Sequence, residues 1–379
     1  MRIVLLSQSV DDESGIGRIV LSLARQFHMA GHDVRCLAQH IGVAGESFVC
    51  RQVPSLPISN GLNKLAYRFL ASRALDRLKY DIIHAFGVGN AADIVSAQSC
   101  HRAGMAILRE YHANLTAGSN WGLYDRVSLA DERRLITSSR TRKVIAASHL
   151  VKRQIMEYYR IGEDRIAVVP NGVDMSRFVP PKGRGELRRA MGIPDGRFVL
   201  LFIGNEFGRK GLAVLIRSLG MMHDDSIHLL VAGRDNPAPY KRLAHEMNCL
   251  QAVTFAGKIV SPERLYALAD AFVLPAMYEP FGMVVVEAMA AGLPVIATAD
   301  CGALEGLKDG EHGIFLGKPG DMEELTGAIR RIVSDRQLRE RFGRAGREAA
   351  LKFDWSLVSR QILDVYNEVL GPAGKEPLR

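Results

Sequence analysis

Short, apolar, β-branched runs alternate along this chain with segments whose apolar residues recur at helical spacing, and the alternation occurs twice. "RIVLLS" opens the first series. "SGIGRIVLSLARQFHMAGHDVRCLA" then reads as a helix, a glycine stop and a second strand. "YDIIHAFG" and "KVIAAS" add two more apolar runs, each leading into a loop and a helical pattern. The series restarts with strands "RFVLLFIGNE", "IHLLVAG", "AVTFAG", "AFVLPA" and "LPVIATA", separated by helical "KGLAVLIRSLGMM", "YKRLAHEM" and "PERLYALAD". Strands buried on both faces and separated by helices form parallel sheets covered on both sides. Between the two series lies "VVPNGVDMSRFVPPKGRGE", whose Pro, Gly and basic residues suit a linker.

A chain of 379 residues exceeds the usual size of one hydrophobic core. The expected architecture is therefore two doubly wound α/β, Rossmann-like domains facing a central cleft. Residues 1–170 would form the first, 171–196 the linker and 197–354 the second. The amphipathic helix in 355–379, with Trp355, Val358, Ile362, Val365 and Val369 on one face, would pack back toward the N-terminal domain. Ligands of such sheets bind beyond the carboxyl ends of the strands, so the loops after strands are the places to search.

Composition narrows the class. The N-terminal apolar run is too short for a signal peptide or a membrane span, which makes a cytoplasmic protein the expectation. Five scattered cysteines without a CxxC pair suit reduced thiols and neither a disulfide framework nor a zinc site. The net charge is +8, and through Asp174 there are 22 Lys and Arg against 16 Asp and Glu, so most of the excess lies in the first half. That bias suits an anionic partner. No nucleic-acid recognition motif accompanies it, so nucleic acid is not expected.

Two stretches carry chemistry. "YEPFGMVVVEAMAAGLPVIAT", residues 278–298, follows a strand and puts Glu279 in a turn and Glu287 one turn into the next helix. A helix starting near Met283 leaves backbone amides without intrahelical partners and suits a phosphate, while Glu287 can accept from vicinal hydroxyls. "GNEFGRKGL", residues 204–212, places Arg209 and Lys210 at another strand-to-helix loop, as a fork and a point charge for a diphosphate.

These motifs together resemble the retaining glycosyltransferases of the GT-B fold, family 4 or group 1, with its E-x7-E signature. "GRKG", "VVPNGVDMSRF", "VTFAGKI" and the "SGIGR" loop extend the likeness over essentially the whole chain. The resemblance implies transfer of a sugar from a nucleoside diphosphate sugar to a hydroxyl of a glycan or lipid-linked acceptor, as in cell-envelope or surface glycan synthesis. His101, Arg209, Lys210 and Glu279 would be catalytic. Gly15, Gly17, Gly257, Lys258, Ile259, Phe281, Gly282, Met283, Val284 and Glu287 would bind the donor. Within that set Glu279 would contact the transferred sugar, Glu287 the ribose, and residues around Gly257 to Ile259 the base. Ser148 and Asn171 match positions at the cleft edge and serve equally as cap and turn residues. No Asp-x-Asp occurs, so no metal and no cofactor are expected, with protein cations in their place.

The stretch 63–80, "NKLAYRFLASRALDRLKY", reads as a basic amphipathic helix in which Lys64, Arg68, Arg73 and Arg77 would meet an acceptor or an anionic membrane at the inner face of the cell membrane. Two rival activities fit less of the chain. A nucleotide-sugar epimerase needs an acid/base set beside the sugar ring that E-x7-E does not supply. A dinucleotide-dependent oxidoreductase needs a full G-x-G-x-x-G, whereas Val20 stands where the third glycine would fall.

Overall fold

In the computed structural model, two parallel sheets organise the chain, each at the centre of its own unit. The structure describes residues 1–55, 60–113, 122–180, 183–258 and 261–371.

The first unit comprises residues 1–172 and the C-terminal residues from Trp355. Its elements begin with β1 (Arg2–Val10), α1 (Gly15–Met29), β2 (Asp33–Ile41), β3 (Val49–Gln52) and α2 (Asn60–Leu75). They continue with β4 (Ile82–Ala85), β5 (Ile94–Ala97), α3 (His101–Ala113), α4 (Leu123–Thr137), β6 (Lys143–Ala146), α5 (His149–Tyr159) and β7 (Ile166–Val168). The seven strands lie in the order β3-β2-β1-β4-β5-β6-β7, all parallel, so the winding reverses between β1 and β4. Val4, Leu6 and Ile83 of the central strands pack with Tyr67, Ala71 and Leu75 of α2. Their near-continuous apolar runs reflect burial on both faces.

The second unit runs from Val173 to Asp354. It contains α6 (Gly185–Ala190), β8 (Phe198–Ile203), α7 (Leu212–Met222), β9 (Ile227–Ala232), α8 (Ala238–Glu246), β10 (Val253–Gly257) and α9 (Pro262–Leu268). β11 (Ala271–Leu274), α10 (Met283–Ala290), β12 (Val295–Thr298), β13 (Ile314–Leu316), α11 (Met322–Ser334) and α12 (Arg336–Ala350) complete it. The order β10-β9-β8-β11-β12-β13 reverses between β8 and β11. The loops after these two strands therefore flank one crevice, although they lie some seventy residues apart in sequence.

Residues 171–196, expected as a linker, join the second unit from Val173 onward. Val173 N–H donates to the Phe353 carbonyl at 2.7 Å, and Arg177 pairs with Glu263 at 2.8 Å. Arg184 and Arg188 converge on Asp270 at 2.5 and 2.8 Å, and Asp270 also accepts from Val199 N–H. The basic residues that gave the stretch its linker character are thus anchors. Four strands, β3, β5, β7 and β13, also lie outside the runs recognised from sequence. They run three or four residues each.

The last helix, α13 (Trp355–Leu370), returns to the first unit. The Tyr366 ring lies 5.5 Å from that of Phe27 in α1, and its hydroxyl is 2.7 Å from His84 Nδ1. His84 Nε2 lies 2.8 Å from Ser96 Oγ, so both ring nitrogens of this fully buried histidine are engaged. Burial pushes the His84 pKa down from 6.5 to about 3. Between those values the unfolded chain binds a proton that the folded unit refuses. Stability present above pH 6.5 is therefore lost as pH falls, by at most about 1.4 kcal/mol per pH unit from this group. His84→Gln should flatten the acid limb of melting temperature against pH between 6.5 and 4; an unchanged slope would assign the acid sensitivity elsewhere.

Candidate active site

The two loops at the reversal of the second sheet bring the signature residues together. After β8 the chain turns through residues 204–211, and after β11 through 275–282, before entering α7 and α10 respectively. Lys210 Nζ lies 2.6 Å from Glu279 Oε2, and Arg209 Nη1 lies 3.5 Å from the same oxygen. Arg209 also donates from Nη1 to the Tyr278 carbonyl at 2.6 Å and from Nε to Glu206 at 2.8 Å. The side chains of Lys210 and Glu279 are each only 10% exposed, so the pair is largely withdrawn from water.

Backbone geometry sets this contact. Met277 N–H donates to the Arg209 carbonyl at 2.8 Å, tying one loop to the other. Gly211 has φ +81°, and a Cβ there would stand 2.0 Å from the Pro275 carbonyl oxygen. The Lys210 stem lies across Gly204, where a Cβ would come within 2.1 Å of Cδ. Gly282, at φ +93°, caps α10, and a Cβ would meet Cys301 Sγ at 2.5 Å. Cys301 is buried, donates to the Phe281 carbonyl at 2.9 Å, and has its thiol pKa pushed up by burial, so it acts as a neutral donor.

Burial alone would raise the Glu279 pKa. The Lys210 and Arg209 charges more than offset it, and the carboxyl lies below its ordinary range. Glu279 is therefore an anion at neutral pH, held by two cations. Phe281 is buried against Phe353, while Met283 and Val284 are half-buried at the start of α10. As the first residues of a helix, they present amides without intrahelical acceptors. Glu287 is 3% exposed, and Tyr266 of α9 donates its hydroxyl to Oε2 at 2.8 Å. The same hydroxyl reaches the Val284 carbonyl at 3.2 Å, so one buried phenol fixes both the helix start and its carboxylate. Tyr266 was not singled out from sequence. Its position within an ordinary amphipathic helix looks like core packing.

Gly257 ends β10, and its carbonyl accepts from Gly233 N–H at 2.9 Å; Lys258 is exposed beside it. Ile259, expected at the base pocket, lies outside the described residues. In the first unit, Gly15 and Gly17 open α1 after β1. Ser14 Oγ accepts from Gly17 N–H at 3.0 Å and lies 3.2 Å from Asp11 Oδ2. A Cβ on Gly17 would strike both side chains, whereas one on Gly15 would meet nothing within 4 Å. Ser148 caps α5, and Asn171 donates to Gln98 at 2.7 Å. His101 begins α3, with its N–H donated to Glu132 Oε1 at 2.7 Å. Its Nε2 is buried without a hydrogen-bond partner among the described residues, 3.7 Å from Asp125 Oδ1.

The basic helix departs from expectation. It ends at Leu75 rather than near residue 80, and Lys64 does not lie on a solvated face. Lys64 is 7% exposed, donates to Ser128 Oγ at 3.1 Å, and has its pKa lowered by burial. Arg68 pairs with buried Asp131 at 3.4 Å. The outward face instead carries Leu62, Leu65 and Phe69, with Arg73 and Arg77 exposed farther along the chain.

Two family models match this chain, one described as Glycosyltransferase Family 4 over residues 14–177 and one as Glycosyl transferases group 1 over residues 183–349. The chain belongs to the group 1 glycosyltransferases. It is a hexosyltransferase-type enzyme with an α/β GT-B fold. Among its relatives, a phosphatidyl-myo-inositol mannosyltransferase of Mycobacterium leprae is 28% identical over 395 residues, covering 99% of each chain. The crystal structure of WaaG, a glycosyltransferase of lipopolysaccharide biosynthesis, superposes with a TM-score of 0.83 at 24% identity, over 96% of this chain and 99% of that one. Anabaena HepE, solved with UDP-glucose, superposes with a TM-score of 0.75 at 19% identity over 97% and 100%.

The turn at Gly282 gives a direct test. Gly282→Ala meets both an unfavourable φ and the Cys301 sulfur, and should cost about 1–3 kcal/mol. Gly257→Ala, at φ +70° with open space around it, meets only the first. Calorimetric melting should show the larger loss for Gly282→Ala. Equal losses would mean that the sulfur contact does not shape the turn.

Proposed function

We propose that this enzyme moves a hexose from a nucleoside diphosphate sugar to a hydroxyl of a glycan or lipid-linked acceptor, with retention of anomeric configuration. The observation that carries the reading is the placement of Arg209, Lys210 and Glu279 beside the N-terminus of α10 at the reversal of the second sheet. HepE, solved with UDP-glucose on a similar fold, and the glycan- and lipid-directed relatives support the same reading.

Breaking the bond between sugar and diphosphate develops positive charge at the anomeric carbon and negative charge on the leaving diphosphate. Arg209, Lys210 and the amides of Phe281 to Val284 stabilise that negative charge where it appears. Protein cations make a metal unnecessary in this proposal, and no cofactor is invoked. Glu279 accepts from hydroxyls of the transferred sugar, and Glu287, aimed by Tyr266, accepts from the ribose. The departing phosphate oxygen takes the acceptor's proton in a front-face attack. In this reading Gly257 and Lys258 border the base.

No helix among the described residues is long and apolar enough to cross a membrane. The exposed Leu62, Leu65 and Phe69 with Arg73 support peripheral contact with an anionic membrane carrying the acceptor.

A thermal-shift panel of nucleotides and nucleotide sugars tests the donor reading. A nucleoside diphosphate should stabilise the wild type, and Glu287→Gln should weaken that response by about tenfold in affinity, or 1.4 kcal/mol. Glu279→Gln should instead lower kcat by at least about tenfold. No stabilisation of the wild type by any nucleoside diphosphate would remove the basis of the proposal.

A further inference from the structure

The first unit has a second concentration of positive charge, which joins Arg73 and Arg77 of the basic stretch 63–80 to Arg51. A cavity of about 310 Å³ opens between edge strand β3 and the C-terminal half of α2. Arg51, Arg73 and Arg77 line it over a floor of Val53, Leu70 and Ala74. The strand register explains why Arg51 takes part. It stands opposite Leu37, and Leu37 packs in the core cluster beneath α2, so Arg51 shares the α2-facing side of the sheet. Arg73 of α2 is held over the Phe69 ring at 5.5 Å, and Arg77 lies in the turn just after the helix ends at Leu75.

Among the described residues, none of these three guanidinium groups has a carboxylate within ion-pair distance. Cations near a helix C-terminus complement its dipole, which accounts for Arg73 and Arg77. It does not account for Arg51, which comes from a strand. Three like charges around one cavity repel one another unless an anion joins them. Guanidinium forks match phosphate oxygens in pairs, and the volume lies at the small end of ligand pockets, about 300–1,000 Å³. Half-buried Leu70 and Ala74 give the cavity an apolar surface against which a small organic body can rest.

We propose that Arg51, Arg73 and Arg77 form a binding site for an organic phosphate, either a soluble phosphomonoester or the phosphate headgroup of a lipid. None of its residues belongs to the group around Glu279, so the site stands independently of the donor reading, while its headgroup form deepens the membrane contact proposed above through Arg73.

The full-length enzyme is titrated with sn-glycerol 3-phosphate in a thermal-shift assay and, separately, floated with phosphatidylglycerol or phosphatidylcholine vesicles. Wild type, Arg51→Gln and Arg73→Gln are compared, with the UDP-induced shift of each measured in parallel. A saturable response to glycerol 3-phosphate, weakened about tenfold in both variants, supports the soluble source. Flotation with phosphatidylglycerol but not phosphatidylcholine, reduced at least about fivefold in Arg51→Gln without a glycerol 3-phosphate response, supports the headgroup. Absence of both responses in the wild type, or equal responses in wild type and variants, overturns the site. The UDP shift should be unchanged in Arg51→Gln, which shows that the variant is folded. Its absence from the wild type would count against the donor reading and leave the phosphate result to be judged separately.

Discussion

The contact between Lys210 and Glu279 is the constraint around which the second unit is arranged. Two opposite charges withdrawn from water are stable only if each finds the other, and removing one partner of such a pair costs about 3–5 kcal/mol. The pair exists because β8 and β11 are neighbours at the reversal of the sheet, which makes adjacent loops of distant segments. The glycines at 204, 211 and 282 then let the loops approach closely enough for the charges to meet. Arg209 adds a second cation at 3.5 Å and is itself paired with exposed Glu206 at 2.8 Å.

Around that contact the remaining parts act as supports. Tyr266 holds Glu287 and the first turn of α10 with one hydroxyl. Cys301, a residue that invites thoughts of redox chemistry, instead donates to a carbonyl and fills the space behind Gly282. In the first unit the same logic appears at lower charge, where Asp11 and Ser14 cap α1 and Glu132 receives the amide of His101.

Much of this was legible in the sequence because it depends on pattern. The alternation of apolar runs with helical spacing specified two doubly wound sheets, and the start of α10 at Met283 followed from the Gly-containing turn before it. The pairing of Glu279 with Lys210 was not legible, since it depends on strand order, which periodicity does not encode. Lys64 was misplaced for a related reason. Its charge suggested solvent, whereas packing of α2 on α4 buries it against Ser128 and under the influence of Asp131. The anchoring roles of Arg184 and Arg188 were hidden by composition, because Pro, Gly and basic residues look the same in a linker and in a segment stapled to a sheet.

In the proposed reaction Lys210 is shared between Glu279 and the diphosphate of the donor. Calorimetric measurement of UDP affinity in Glu279→Gln tests this most directly, since UDP carries no sugar for Glu279 to hold. Removing the carboxylate frees Lys210 and lifts a repulsion, so Glu279→Gln should bind UDP at least as tightly as the wild type. A loss of about tenfold or more in UDP affinity, with the fold intact, would contradict the sharing and assign the pair a purely structural role.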